Sequence, residues 1–167
     1  TCRILEEAGA SVGAMPTIHI APVENLAPLG DALRQLGRGD WLILTSANAV
    51  APLWQTLRAN ATDSRALAGV RIGAIGPGTA EAMGQLGLVP DLIPAMHQAE
   101  GILEALPASE VAGRHVVVPR AEVAREVMPE ELRRRGAHVD VIPVYRTVLP
   151  PPEQTNFGLR LLRSVSG

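Results

Sequence analysis

The stretch LRRRGAHVDVIPVYRT, residues Leu132–Thr147, repeats the plan of LEEAGASVGAMPTIHI, residues Leu5–Ile20. Gly9 matches Gly136 and Pro16 matches Pro143, at one constant offset. In each copy the pattern predicts a helix that ends at glycine, then a strand that proline interrupts before it continues. A proline there suits a strand leaving a sheet edge or crossing between domains, because it removes one ladder N–H. The two copies read as equivalent strands, a two-stranded connector between two similar domains.

The repeat also predicts its own surroundings. HVVVPRA precedes the second copy, so a similar strand is expected before Thr1. LGRGDWLILTS follows the first copy, whereas the second stops at LRSVSG. Each cut falls within a repeat unit, so the sequence reads as an excerpt, and the missing initiator Met points the same way. The expected organisation has residues 1–21 as part of an incomplete domain with the first connector strand. Residues 22–143 form a complete α/β domain, and residues 144–167 carry the second connector strand and the return into the incomplete domain.

Inside this frame short apolar runs alternate with amphipathic stretches, the pattern of βαβ units and a parallel sheet. Strands are expected at Val12–Ile20, Trp41–Thr45, Val70–Ile75, a short Asp91–Ile93, His115–Val118 and Val139–Thr147. Helices are expected at Leu26–Leu36, Ala47–Ala59, Thr79–Leu86, Ala99–Leu106 and Val123–Arg135. Gly9, Gly37, Gly87 and Gly136 stand where C-terminal helix caps belong. The proline run in Leu149–Pro152 cannot be helical and reads as a linker; a further helix starts over Thr155–Arg163. The fold class is α/β, with doubly wound parallel-sheet (flavodoxin-like) domains, only one of them complete.

The 167 residues are 47% apolar, 19% charged and 2% aromatic, a globular rather than a disordered or fibrous composition. A net charge of -2 and a pI near 6.1 argue against a nucleic-acid or anionic-membrane binder. All 15 basic residues are arginine, which excludes a Schiff-base or P-loop lysine within this stretch. Cys2 is alone, so no disulfide forms within the chain and a cytoplasmic home is expected. No apolar run approaches the roughly 18–20 residues of a membrane span, and the polar opening TCRILEEAG is not a signal peptide.

Four motifs bear on chemistry. In WLILTSANAV, Trp41–Val50, a strand runs into Thr45-Ser46 just before a helix. The carboxyl end of a parallel strand faces the ligand crevice of open α/β sheets, and a helix N-terminus favours anions; equally, Ser46 reads as an ordinary N-cap. In GAIGPGTAEA, Gly73–Ala82, a strand enters a glycine turn where Gly76 and Gly78 let backbone approach a ligand, and Thr79 is expected to cap the next helix. Glu81 stands where the third glycine of a dinucleotide fingerprint belongs, and a Walker loop would need lysine; the plain alternative is a tight strand–helix turn. In VVVPRA, Val116–Ala121, Arg120 lies past a strand end, where it would hold a carboxylate bidentately or, as the more common case, be a solvated surface charge. Tyr145, the sole tyrosine, stands in the connector, where its ring would reach a cleft or fill a half-buried strand position. Arg133, Arg134 and Arg135 close a helix and complement its dipole. His19, His97, His115 and His138 are scattered without ligand spacing, so no metal site is expected.

Together LTSANAV, IGPGTAEA, VVVPRAEVAREVMPEELRRRGA and PVYRTV resemble, in order and spacing, the uroporphyrinogen-III synthase family across essentially the whole chain. The resemblance implies two α/β domains on a two-stranded connector and an enzyme, a hydro-lyase, that closes the linear tetrapyrrole hydroxymethylbilane to uroporphyrinogen III with inversion of ring D. It implies no metal or organic cofactor, a small-molecule substrate, no nucleic acid or membrane partner, and a monomer. Thr45, Ser46 and Thr79 match cleft-lining positions of the family, Gly78 and Arg120 are expected to bind substrate with them, and Tyr145 matches the tyrosine held to assist departure of the hydroxyl. Because the second glycine turn of the family would lie beyond Gly167, these residues alone are expected to be inactive. Other readings are a hinged, non-catalytic ligand-binding protein, a phosphate- or nucleotide-binding enzyme using the GPGT turn, and a flavodoxin-like interaction domain.

Overall fold

The computed structural model describes residues 2–9 and 17–150. The chain divides into two compact units, residues 1–21 with 147–167, and residues 22–146. In the first, α1 (Cys2–Glu7) closes on Gly9, whose φ of 86° is the left-handed conformation of a helix cap. Most of the strand expected over Val12–Ile20, with Pro16, lies outside the described residues, as does the helix expected at Thr155–Arg163; the strand seen is β1 (His19–Pro22).

In the second unit the elements follow as α2 (Ala27–Gln35), β2 (Trp41–Leu44), α3 (Val50–Ala59), β3 (Arg71–Ala74), α4 (Pro77–Gly84), α5 (Ala99–Ala105), α6 (Ala108–Val111), β4 (His115–Ala121), α7 (Val127–Arg134) and β5 (His138–Val148). The sheet order is β1-β5-β4-β2-β3. β2 pairs in parallel with both β3 and β4, and β4 pairs in parallel with β5. The winding therefore runs outward from β2 to β3, then returns across β2 to β4.

Period-two alternation along β2 divides the core. Leu42 and Leu44 join Leu29, Leu53, Leu57 and Met83 from α2, α3 and α4. Trp41 and Ile43 point the other way, to Ile102, Val111, Met128 and Leu132 from α5, α6 and α7. A strand buried on both faces must be apolar at every position, which is why WLIL carries no polar residue. Each aliphatic side chain fully buried in this way contributes roughly 1.5–3 kcal/mol. The arginine run behaves as expected of a helix end. Arg135 donates through Nε to Glu131 at 2.8 Å and through Nη1 to the Leu106 carbonyl at 2.6 Å, tying α7 to the end of α5. That hydrogen bond from Arg135 holds the Glu131 carboxyl below the usual carboxylate range.

Some expectations are corrected. The strand at Asp91–Ile93 shrinks to a single parallel bridge, Leu92 to Gly73, because Pro90 and Pro94 flank it and remove ladder donors. Gly37 is not a left-handed cap: α2 ends at the extended Leu36, and the Gly37 N–H is held by Asp40 Oδ2 at 2.8 Å, while Gly39 takes the positive φ of 85°. Pro143 does not end its strand: β5 runs on to Val148, and only the register with β4 shifts just after the proline. The short α6 is an added element.

Gly101, inside α5, is required by a close approach. A Cβ there would stand 2.0 Å from the Met96 carbonyl oxygen, a backbone atom that cannot rotate away. Although alanine is the better helix former, Gly101→Ala should destabilise by about 1–3 kcal/mol as overpacking, lowering Tm by roughly 2–12 °C; a thermal melt with unchanged Tm would contradict this packing.

Candidate functional site

At the carboxyl end of β2 the chain leaves the sheet at Thr45 and Ser46, both half-buried. Ser46 Oγ accepts the Asn48 N–H at 3.2 Å and caps a 3-10 turn, Ala47–Ala49, that leads directly into α3. The capping reading of Ser46 is thus correct, and it leaves Thr45 as the hydroxyl of that turn without an internal hydrogen bond among the described residues.

At the end of β3 the chain turns through Ile75, whose N–H bonds the Leu44 carbonyl at 3.0 Å and so holds the second turn beside the first. Here the expectation for Thr79 is corrected. The N-cap of α4 is Gly76, Pro77 begins the helix, and Thr79 is its third residue. Pro77 suits that first position because its φ is preset and it has no N–H to leave unpaired. Thr79 and Ala80 N–H both reach the Gly76 carbonyl at 3.1 Å, leaving the Gly78 N–H as a first-turn donor without an intrahelical acceptor. Gly78 is exposed, and a Cβ there would meet nothing within 4 Å, so the space above this turn is open. Thr79 is 5% exposed, and its hydroxyl has no internal hydrogen bond among the described residues.

The 3-10 turn packs against α4 and against β4, so the three strand-end segments adjoin. β4 registers Trp41 with Val116 and Leu42 with Val117, then runs on to Ala121, which carries Arg120 level with the Thr45 turn. Of the two readings of Arg120, the solvated surface charge is the one that the structure overturns. Its side chain is only 8% exposed, not a solvated charge. Nη1 donates to the Arg125 carbonyl at 2.7 Å and Nη2 pairs with Glu126, so the fork that would grip a carboxylate is occupied by the following loop.

Tyr145 is 8% exposed and belongs to the buried cluster that also holds Leu44, Ala49 and Met83, from the strand before the first turn, the turn itself and the helix after the second. Its hydroxyl makes no hydrogen bond among the described residues. Sequence reasoning missed His97. Its ring lies against Gly76, where a Cβ would come within 3.1 Å of the imidazole Cγ. No local signal marks that contact, which closes from about twenty residues away through the tertiary fold. Among the described residues no group of three His, Cys, Asp or Glu side chains converges on a metal position.

A cavity of about 260 Å³ sits between α2 and α3, lined by Leu33, Arg34, Thr56, Asn60 and Leu67. Its polar groups are already paired: Arg34 with Asn60 at 2.9 Å, Asn60 with the Thr56 carbonyl at 2.8 Å, and Thr56 Oγ1 with the Pro52 carbonyl at 2.9 Å. A pocket whose donors and acceptors are satisfied internally recognises little, whereas the strand-end crevice offers unpaired hydroxyls and an amide at the position where open α/β sheets bind ligands.

Comparison with known proteins follows that geometry. The family model described as uroporphyrinogen-III synthase HemD matches residues 2–164. The chain is 36% identical over 159 residues to a uroporphyrinogen-III synthase of Synechococcus elongatus, covering 93% of the chain and 60% of that protein. It is 30% identical over 160 residues to a uroporphyrinogen-III synthase of Proteus mirabilis, covering 93% and 78%. The crystal structure of the wild-type uroporphyrinogen III synthase from Thermus thermophilus superposes with a TM-score of 0.63 at 25% identity, covering 96% of the chain and 62% of that structure. The chain thus spans about three fifths of the length of the cyanobacterial and Thermus proteins.

Two substitutions separate architecture from ligand contact. Ser46→Ala should lose the cap and cost about 1 kcal/mol, seen as a lower urea midpoint. Gly78→Ala should leave stability unchanged or raise it by up to about 1 kcal/mol, since the added methyl meets open space at a helical position. A marked destabilisation by Gly78→Ala would show that the space above the turn is filled by protein.

Proposed function

The chain belongs to the uroporphyrinogen-III synthase family, and on that premise we propose that its strand-end crevice binds and folds hydroxymethylbilane while Tyr145 assists loss of its hydroxyl. Closure then proceeds to uroporphyrinogen III with ring D inverted and water released. The substrate is a small linear tetrapyrrole carrying many carboxylates. We also propose that the protein works as a cytoplasmic monomer without nucleic-acid partners; a net charge of -2 supports the last point. No helix among the described residues is long and apolar enough to cross a membrane.

The observation that carries this reading is the pair of hydroxyls on Thr45 and Thr79, neither with an internal partner among the described residues, on two adjoining turns, with Tyr145 in the buried cluster that also holds Leu44, Ala49 and Met83. Carboxylates on the substrate suit the first-turn amide of α4 and the threonine hydroxyls, where the helix dipole also favours negative charge. The chemical demand is compatible with such a site. Departure of hydroxide as water leaves a reactive azafulvene-type cation that closes without inversion if left unguided. An enzyme for this reaction must chiefly hold the chain so that the spiro route wins, which is positioning rather than acid–base machinery. A phenol O–H is a hydrogen-bond donor suited to giving the leaving oxygen the one proton it needs.

In this reading Arg120 supports the site without touching substrate, and Ser46 contributes through the turn it caps. Tyr145→Phe in the full-length protein should lower the rate of uroporphyrinogen III formation about 30- to 1,000-fold, equivalent to roughly 2–4 kcal/mol for one transition-state donor. Thr79→Ala should cost less, because the neighbouring amide still holds a carboxylate. The assay is the ratio of III to I isomer with time; a Phe variant with unchanged rate and ratio would reduce Tyr145 to packing.

A further inference from the structure

Arg120 is deeply buried, with its side chain 8% exposed. Nη1 and Nη2 are held by the Arg125 carbonyl and Glu126, while Nε is buried with no partner. A buried guanidinium with an orphaned N–H is weak evidence of stabilisation, since desolvating the charge offsets much of what its contacts contribute. What such a group does well is fix geometry.

The geometry it fixes adjoins Tyr145. Arg120 stands opposite Pro143, and immediately afterwards the β4–β5 register shifts, so that Ala121 faces Tyr145 and Val144 is an extra residue on β5. Neighbours on a regular strand face opposite sides. Here Val144 and Tyr145 are consecutive, 1% and 8% exposed, and both enter the same buried cluster. The bulge re-aims one of them, as bulges do. It is held by the Glu122 N–H donating to the Tyr145 carbonyl at 2.9 Å. Glu122 opens the loop that ends at Arg125 and Glu126, the two residues Arg120 grips. The loop has little other anchor: Val123, its large apolar residue, is 89% exposed.

We propose that Arg120 is a positioning residue for Tyr145, acting through the loop 122–126 that it clamps and the bulge that this loop pins. The inference deepens the reading of Tyr145 as proton donor and, in its kinetic part, rests on it. Arg120 closes a short circuit from β4 through the loop to β5, and Glu126 is the exposed end of that circuit, with its side chain half accessible.

The test uses the full-length protein with carbon-13 in its tyrosine rings, the Tyr145 signal being assigned by its loss in Tyr145→Phe. Glu126→Gln removes the charge from the clamp at an accessible position, and Arg120→Lys keeps charge while losing the fork. Both should shift or broaden the Tyr145 ring signal, whereas Glu131→Gln, which breaks a different arginine pair on α7, should not. In steady state both clamp variants should lower kcat about 5- to 30-fold with KM within twofold and raise the share of the I isomer. In a Tyr145→Phe background the same substitutions should change kcat less than twofold. An unmoved ring signal, or an equal loss in the Phe background, overturns the proposal. If the wild-type protein forms no III isomer, the proposed activity fails, and the ring signal alone still decides whether Arg120 positions Tyr145.

Discussion

The arrangement depends on β2 being paired in parallel on both sides, with the helices that follow leaving on opposite faces. Such a strand has no exposed edge and no solvent-facing side, so its sequence must be apolar throughout. Because the chain leaves β2 through α3 on one face and leaves its neighbour β4 through α7 on the other, the connections at their carboxyl ends diverge. The gap between them is where ligands enter open α/β sheets. Everything assigned to the site follows from that reversal: Thr45 leaves β2, Gly78 and Thr79 leave β3, and β4 with its bulged partner delivers Tyr145.

The same reversal explains why the strand-end turns, rather than the cavity between α2 and α3, are chemically interesting. Secondary structure consumes backbone donors and acceptors everywhere except at element ends. Strand-to-helix turns therefore concentrate unpaired amides, and hydroxyls placed there remain free for a ligand. In the cavity, Arg34, Asn60 and Thr56 have already satisfied one another. For the polycarboxylate substrate proposed here, amides and hydroxyls at such turns are fitting recognition groups.

Much of this was legible because it is local. The apolar run before Thr45-Ser46, the glycine turn and the arginine-closed helix each carry their reason within a few residues, and Ser46 turned out to be the cap that its position suggested. What was hidden is tertiary or depends on register. Asp91–Ile93 has strand-like composition, yet flanking prolines reduce it to one bridge. The cap of α4 moved from Thr79 to Gly76 because Pro77 already favours the first helical position. Arg120 has the same spacing whether it is solvated, binds a carboxylate or clamps a loop; only the folded path of residues 122–126 selects among these. The bulge at Val144, which turns two consecutive side chains into one core, leaves no mark in a period-two pattern.

Ligand recognition is proposed to belong to the strand-end turns. It is tested most directly by mapping backbone amide shifts of the nitrogen-15-labelled full-length protein on anaerobic addition of uroporphyrinogen III. The largest changes should fall on Thr45–Asn48, Gly76–Ala80 and Glu122, with Leu33, Asn60 and Leu67 unmoved. Shifts concentrated on those last three residues, with the turns silent, would contradict it.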